Sequence, residues 1–189
     1  MGETANFQIR RPKTAGESLF LLGPGGVGKS TLGAAMARQS GWPLLDLDLQ
    51  FCDRIQDITD FIAANGYPAY RAANLAMAKT LVAGITRPTI VVTPSGFLAA
   101  AADSEDYRDA LRLVQTGYGI TLLPSLDVEE ATDIVVARQL TRGFGFEHAS
   151  ETTKFHRRFP IYRRHGDMLV VSTLPAERLA STVLDRLSG

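Results

Sequence analysis

The eight residues from Gly23 to Ser30, GPGGVGKS, constrain this chain more than any other stretch. They match the pattern G-x-x-x-x-G-K-[ST] at every fixed position. The apolar run Ser18-Leu-Phe-Leu-Leu22 precedes them, and an amphipathic stretch from Lys29 to Ser40 follows and stops at Gly41. A strand, a glycine-rich turn and a helix in that order make an anion cradle. Glycines allow the tight curl that aims several backbone N–H groups at one phosphate, and the new helix adds the positive end of its dipole. The segment therefore predicts a nucleoside triphosphate held by Gly23, Gly25, Gly26, Val27, Gly28, Lys29, Ser30 and Thr31. Lys29 reaches the β- and γ-phosphates, and the Ser30 hydroxyl is a hard oxygen ligand for Mg²⁺.

Beyond the loop, short apolar runs alternate with amphipathic stretches. Pro43 to Asp48, Thr89 to Thr93, Gly119 to Leu123 and Met168 to Ser172 read as strands. Helical patterns cover Ile55 to Asn65, Tyr70 to Ala83, Asp103 to Val114, Val128 to Arg142, Glu151 to Arg164 and Pro175 to Leu187. The strands are near-continuous apolar runs, as expected where helices cover both faces of a sheet. The pattern predicts an α/β fold of the P-loop NTPase type, with a central parallel sheet and helices on both faces. Gly143 to Glu151 carries two glycines and no apolar period, and reads as a loop. Residues 18–189 form one domain. Residues 1–17 are polar, with Arg10, Arg11 and Lys13, and read as an N-terminal tail that is either mobile or added to the sheet as a strand.

Charge and cysteine usage narrow the partners. Twenty basic residues balance twenty acidic ones. That balance argues against a general nucleic-acid or membrane binder, whose footprint is basic. The single cysteine, Cys52, cannot form an internal disulfide, and no Cys/His cluster offers a zinc site. No apolar run approaches the roughly 20 residues of a spanning helix. We expect a cytoplasmic monomer acting on a small molecule.

Asp46-Leu47-Asp48 ends the second strand candidate. Alternate strand residues share a face, so the pair is expected to point together into the crevice at the carboxyl ends of the strands. Two carboxylates there can bind a magnesium-linked water and accept a proton from a hydroxyl. The other reading is a solvated strand end or a cap for the next helix.

At this point the chain resembles the shikimate kinase family. The run GPGGVGKSTLGAAMARQSGWPLLDLD carries the resemblance through the second strand, Gly66 to Arg71 extends it, and Arg158-Phe-Pro-Ile-Tyr162 is similar to the family's R-x-P-x-Y. The resemblance implies ATP-dependent phosphoryl transfer to a hydroxyl of a small anionic polyol, with shikimate first and another hydroxy acid such as gluconate next. It implies that Asp46 helps hold Mg²⁺, that Asp48 contacts the acceptor hydroxyl and takes its proton, and that Arg71 and Arg158 hold the acceptor carboxylate. A guanidinium fork suits that partner. It also implies a lid loop, placed at about residues 142–152, with a lid arginine near the phosphates; Arg142 is the first candidate, with Arg138 then near adenine. Pro175 is placed against adenine or simply starts the last helix.

The acceptor side departs from the family. Its triple-glycine turn after the third strand is Pro94-Ser95-Gly96 in this chain, and the usually acidic positions are Cys52 and Asn74. Ser95 and Gly96 are still expected at the acceptor. The departures keep open a second class of function, a nucleotide-binding module that regulates a partner without phosphorylating shikimate.

Overall fold

The structure, a computed structural model, describes residues 5–141 and 147–188. A six-stranded sheet runs in the order β1-β6-β5-β2-β4-β3. Its strands are β1 (Asn6–Ile9), β2 (Leu19–Leu22), β3 (Leu44–Asp46), β4 (Ile90–Val92), β5 (Tyr118–Leu123) and β6 (Met168–Val171). Strands β2 to β6 are mutually parallel, and β1 joins the edge antiparallel to β6, with Phe7 opposite Val170. The N-terminal segment is thus an added strand. Beyond it, the Arg11 guanidinium bridges Glu17 and Asp167 and lies 5.1 Å from the centre of the Tyr118 ring.

The four residues of β2 are all buried, and they feed two cores. Leu19 and Leu21 face one, Phe20 and Leu22 the other, as the two-residue strand period requires. The first core packs α1 (Lys29–Ser40), α6 (Val128–Leu140) and α8 (Ala176–Ser188) through Met36, Val135 and Val183. The second packs α4 (Tyr67–Ala83) and α5 (Glu105–Val114) through Leu75 and Val114. Helices α2 (Leu47–Arg54) and α3 (Ile58–Asn65) lie beside α4, and α7 (His148–Arg164) beside α6. Helix α1 comes close to the sheet at Gly33, where a Cβ would stand 2.7 Å from a Val92 methyl carbon.

Four elements differ from the sequence expectation. The second strand stops at Asp46, and Leu47 already begins α2. An alternating LLDLD cannot distinguish a continuing strand from a helix start, because the buried Leu47 suits either. Residues Ile55 to Asn65 are not one helix: Ile55 caps α2, and Asp57 caps a separate α3. Helix α4 starts at Tyr67, where Gly66 and the early Pro68 set its first turn. Finally, His148 to Glu151 are helical, so the segment expected as lid is partly the start of α7. Arg142 and Gly143 lie outside the described residues.

Candidate functional site

Parallel strands put the residues that follow β2, β3 and β4 at one edge of the sheet, and the candidate residues gather there. The turn after β2 is the glycine loop. Gly26 and Gly28 have φ of 78° and 97°, which L side chains rarely adopt. Gly28 ends the loop as the N-cap of α1, with no side-chain cap and no acidic residue in the first turn. The leading N–H groups of α1 are therefore left to an anion, with the helix dipole behind them. The buried Lys29 folds back over the loop, and its Nζ donates to the carbonyls of Gly23 at 2.8 Å and Pro24 at 3.0 Å. Ser30 and Thr31 are exposed in the first turn.

Helix α6 covers one side of this loop. Cβ atoms at Gly25 and Gly26 would meet Gln139 Nε2 and Val135 Cγ1, both at 2.8 Å. Arg138 precedes Gln139 in the last turn of α6 and is half-buried. Pro175 is exposed on the turn after β6, and its carbonyl accepts from the Leu179 N–H at the start of α8.

The aspartate pair is built differently from two neighbours on a strand. Asp46 is the buried N-cap of α2, its Oδ1 accepting from the N–H groups of Asp48 and Leu49. Asp48 sits in the first helical turn and accepts at Oδ1 from the Tyr70 hydroxyl at 2.7 Å. Burial pushes the Asp48 carboxyl above the usual carboxylate range, against the pull of the Tyr70 hydroxyl and the Lys29 charge. Burial, with Asp48 beside it, raises the Tyr70 phenol. A carboxylate so placed is a better proton acceptor than an exposed one. Asp46 uses only Oδ1 as a cap. Its other oxygen, like the exposed Ser30 hydroxyl, is a hard oxygen of the kind that suits Mg²⁺, a cation that keeps several waters and shares phosphate oxygens.

A narrow cleft opens beside Asp48, walled by α4, α5 and the Pro94-Ser95-Gly96 turn. Arg158, from α7, donates through Nη1 to Ser95 Oγ at 3.1 Å and through Nη2 to the Tyr67 hydroxyl at 3.0 Å. It forms no ion pair among the described residues. Arg71 differs: its Nη2 is 2.8 Å from Asp106 Oδ2. Arg71 lines the cleft and is neutralised by a protein carboxylate, whereas Arg158 meets the cleft's Tyr67 and the neighbouring Ser95 and has only neutral partners. Gly96 is required by a close approach, because a Cβ there would collide with the Tyr67 hydroxyl. Ser95 joins the two halves. Its Oγ would lie 3.7 Å from a Cβ on Gly25, and its carbonyl accepts from the Tyr162 hydroxyl at 3.0 Å. Tyr162 is fully buried, and burial pushes its phenol up to about 12.

Tyr67, Asp106 and Gln139 were not singled out from sequence, and Asn74 was named only as an acceptor-side position where the family is usually acidic. Tyr67, Tyr70 and Asn74 follow a helical spacing with Arg71, which could have placed them on one face of α4. Asp106 carried no such signal, because an acid in the first turn of a helix is ordinary. Asn74 is 2% exposed, and both polar atoms of its amide lack a hydrogen-bond partner among the described residues. Each such orphan costs on the order of 1–3 kcal/mol.

The family model described as shikimate kinase matches residues 25–188. Shikimate kinase of Oleidesulfovibrio alaskensis is 28% identical over 177 residues, covering 92% of this chain and 98% of that one. The pentafunctional AROM polypeptide of Clavispora lusitaniae is 28% identical over 134 residues, 71% of this chain. The chain spans only 8% of that much longer relative. Among solved structures, shikimate kinase from Acinetobacter baumannii in complex with shikimate superposes with a TM-score of 0.72 at 21% identity, covering 92% of this chain and 94% of that one. No helix among the described residues is long and apolar enough to cross a membrane.

Proposed function

The chain belongs to the shikimate kinase family, a family of ATP-dependent small-molecule kinases, and from that premise we propose that it transfers the γ-phosphoryl group of ATP to a hydroxyl of a small anionic polyol, shikimate first. The observation that carries this reading is the junction at Ser95, which stands next to Gly25 of the phosphate loop and accepts a hydrogen bond from the Arg158 guanidinium. A phosphate donor and an anionic acceptor held on either side of Ser95 are neighbours, and phosphoryl transfer depends chiefly on such positioning and on charge neutralisation.

Each residue then has a task. The loop from Gly23 to Thr31 holds the triphosphate through its N–H groups. Lys29 leaves its loop carbonyls for the β- and γ-phosphates and neutralises charge that develops on them. Ser30 and Asp46 would hold Mg²⁺, which when bound neutralises the phosphate oxygens further. Asp48 orients the acceptor hydroxyl and receives its proton, its raised proton affinity suiting the role. The acceptor oxygen then bonds to the γ-phosphorus as the bond to the leaving ADP breaks. Arg158 takes the acceptor carboxylate, with Ser95 and Tyr67 fixing the fork. Arg71 lines the same cleft as a pair with Asp106 and presents less net charge to the acceptor. Arg142 supplies the lid charge on the phosphates, and Arg138 and Pro175 border the adenine.

The test is ATP consumption with a panel of hydroxy acids, shikimate and gluconate included, with the phosphorylated product identified by mass. Phosphorylated shikimate supports the reading in full. Phosphorylation of another member keeps the kinase and replaces the acceptor. ATP binding with no turnover on any member removes the transfer reaction and leaves a nucleotide-binding module.

A further inference from the structure

The pair of Arg71 and Asp106 is a wall with two sides. On one side it lines the narrow cleft near Asp48, whose free space of about 10 Å³ has room for about one water. On the other side it lines an open recess of about 520 Å³, together with Ala100, Ser104 and Arg157. The Arg71 side chain is 13% exposed and that of Asp106 35%, so the acid is the member more open to an arriving molecule. A place in the first turn of α5 accounts for an acid, as Glu105 beside it does, but not for its pairing with an arginine of the cleft.

The other cations nearby are differently placed. Arg158 donates only to neutral hydroxyls, and its Nε is buried with no partner among the described residues. It is the cation left for one carboxylate. Arg157, its neighbour in α7, is exposed at the recess and forms no ion pair among the described residues. Without Asp106, Arg71 and Arg157 would line one recess as two guanidinium groups with no acid on either, a site for a second carboxylate or a phosphate. With Asp106 present, a second anion meets a carboxylate that already holds Arg71.

We propose that Asp106 is a specificity-determining residue that restricts the acceptor to a single anionic group, holding Arg71 and repelling a second carboxylate or phosphate that would reach it through the recess. The inference rests on the small-molecule kinase reading above. A hydroxy monoacid puts its carboxylate on Arg158 and presents only neutral groups to Asp106. A hydroxy diacid, or a hydroxy acid that is already phosphorylated, has an anion for which the site keeps a like charge, and that repulsion is what separates the two classes.

Gluconate and glucarate share one carbon chain and differ by one carboxylate. The experiment measures the inhibition constant of each, competitive against the preferred acceptor, or its KM where it is itself phosphorylated. It compares the parent enzyme with Asp106→Asn, which keeps an oxygen for Arg71 and loses the charge. In the parent, glucarate should bind no better than gluconate. In Asp106→Asn the preference for glucarate over gluconate should rise about 10- to 100-fold, as Arg71 and Arg157 become able to take the second carboxylate. Adding Arg157→Gln should remove part of that gain, and Asp106→Glu, which keeps the charge, should retain the parental preference. The KM for ATP should stay within about twofold throughout, because the phosphate half is untouched. A merely structural role for Asp106 would weaken both inhibitors alike and leave their ratio where it was. A ratio unchanged in Asp106→Asn, or moved equally by Asp106→Glu, overturns the role of Asp106 and leaves the kinase standing. No turnover by the parent on any hydroxy acid overturns the kinase reading, and Asp106 as its selector with it.

Discussion

The phosphate half and the acceptor half of the site are made of different material. The phosphate half is backbone: consecutive N–H groups of one loop and the first turn of α1, continuous in sequence and anchored by a fully buried strand. The acceptor half is side chains from α2, α4, α5, α7 and one turn, brought together across the fold. A backbone cradle recognises what all nucleoside triphosphates share, whereas a side-chain cleft can be rebuilt one residue at a time. In this chain the loop matches its pattern at every fixed position, while the acceptor side departs from the family pattern at Cys52, Asn74 and the Pro94-Ser95-Gly96 turn.

The largest effects should fall where the halves meet the reacting atoms. Lys29→Ala and Asp48→Asn are each expected to lower kcat by about 100-fold or more, the usual cost of removing one group that acts on developing charge. Circular dichroism should show both variants folded. A near-parental rate in Asp48→Asn would take that carboxylate out of the reaction.

The two arginines offer a sharper contrast. Arg158 faces hydroxyls only, while Arg71 is already paired with Asp106. Arg158→Lys should therefore raise the acceptor KM by about 10- to 100-fold, since lysine keeps the charge and loses the fork. Arg71→Lys should raise it less, and neither should alter ATP affinity. Steady-state kinetics with both substrates varied decides it, and a larger effect at Arg71 would reverse the assignment of the acceptor anion.

A smaller effect is a displacement along the pH axis. The Tyr70 hydroxyl stabilises the ionised form of Asp48, so removing it in Tyr70→Phe raises the Asp48 pKa further. With Asp48 as the proposed proton acceptor, the ionised form is the active one, and activity is expected to fall as pH drops through its pKa. The acid limb of kcat/KM should accordingly move to higher pH in the variant. A limb that stays in place would mean that another group controls it.

The smallest effect lies far from both halves. Arg11→Ala releases a half-exposed bridge to Glu17 and Asp167 that ties down the chain after β1. Exposed pairs contribute up to about 1 kcal/mol, so the melting temperature should fall by about 2–4 °C at this chain length. The kinetic constants should not change. A change in KM for either substrate would couple the N-terminal strand to the site.

How far the sequence carries depends on how local the cause is. The phosphate loop, its strand and its helix are specified by consecutive residues, so the pattern is readable without any tertiary information. The same holds for the alternation that makes the parallel sheet and for most helices. Leu47 marks the limit. Its burial fits a strand or a helix, and the choice falls to Asp46, whose side chain caps the N–H groups of Asp48 and Leu49 as β4 pairs with the strand behind it. From that choice follows the position of Asp48, on a helix and under Tyr70, instead of beside Asp46 on a strand.

By itself the sequence determined the phosphate-loop pattern and the α/β class, and it offered the carboxylates after the second strand and the arginines as candidates. Only the tertiary structure decided which arginine is neutralised, which tyrosine holds Asp48 and which amide is left without a partner. Those facts depend on pairs such as Arg71 with Asp106 and Arg158 with Tyr67, on different helices and far apart along the chain. An ionic or hydrogen-bonded partner is set by distance and burial, and no local propensity encodes either.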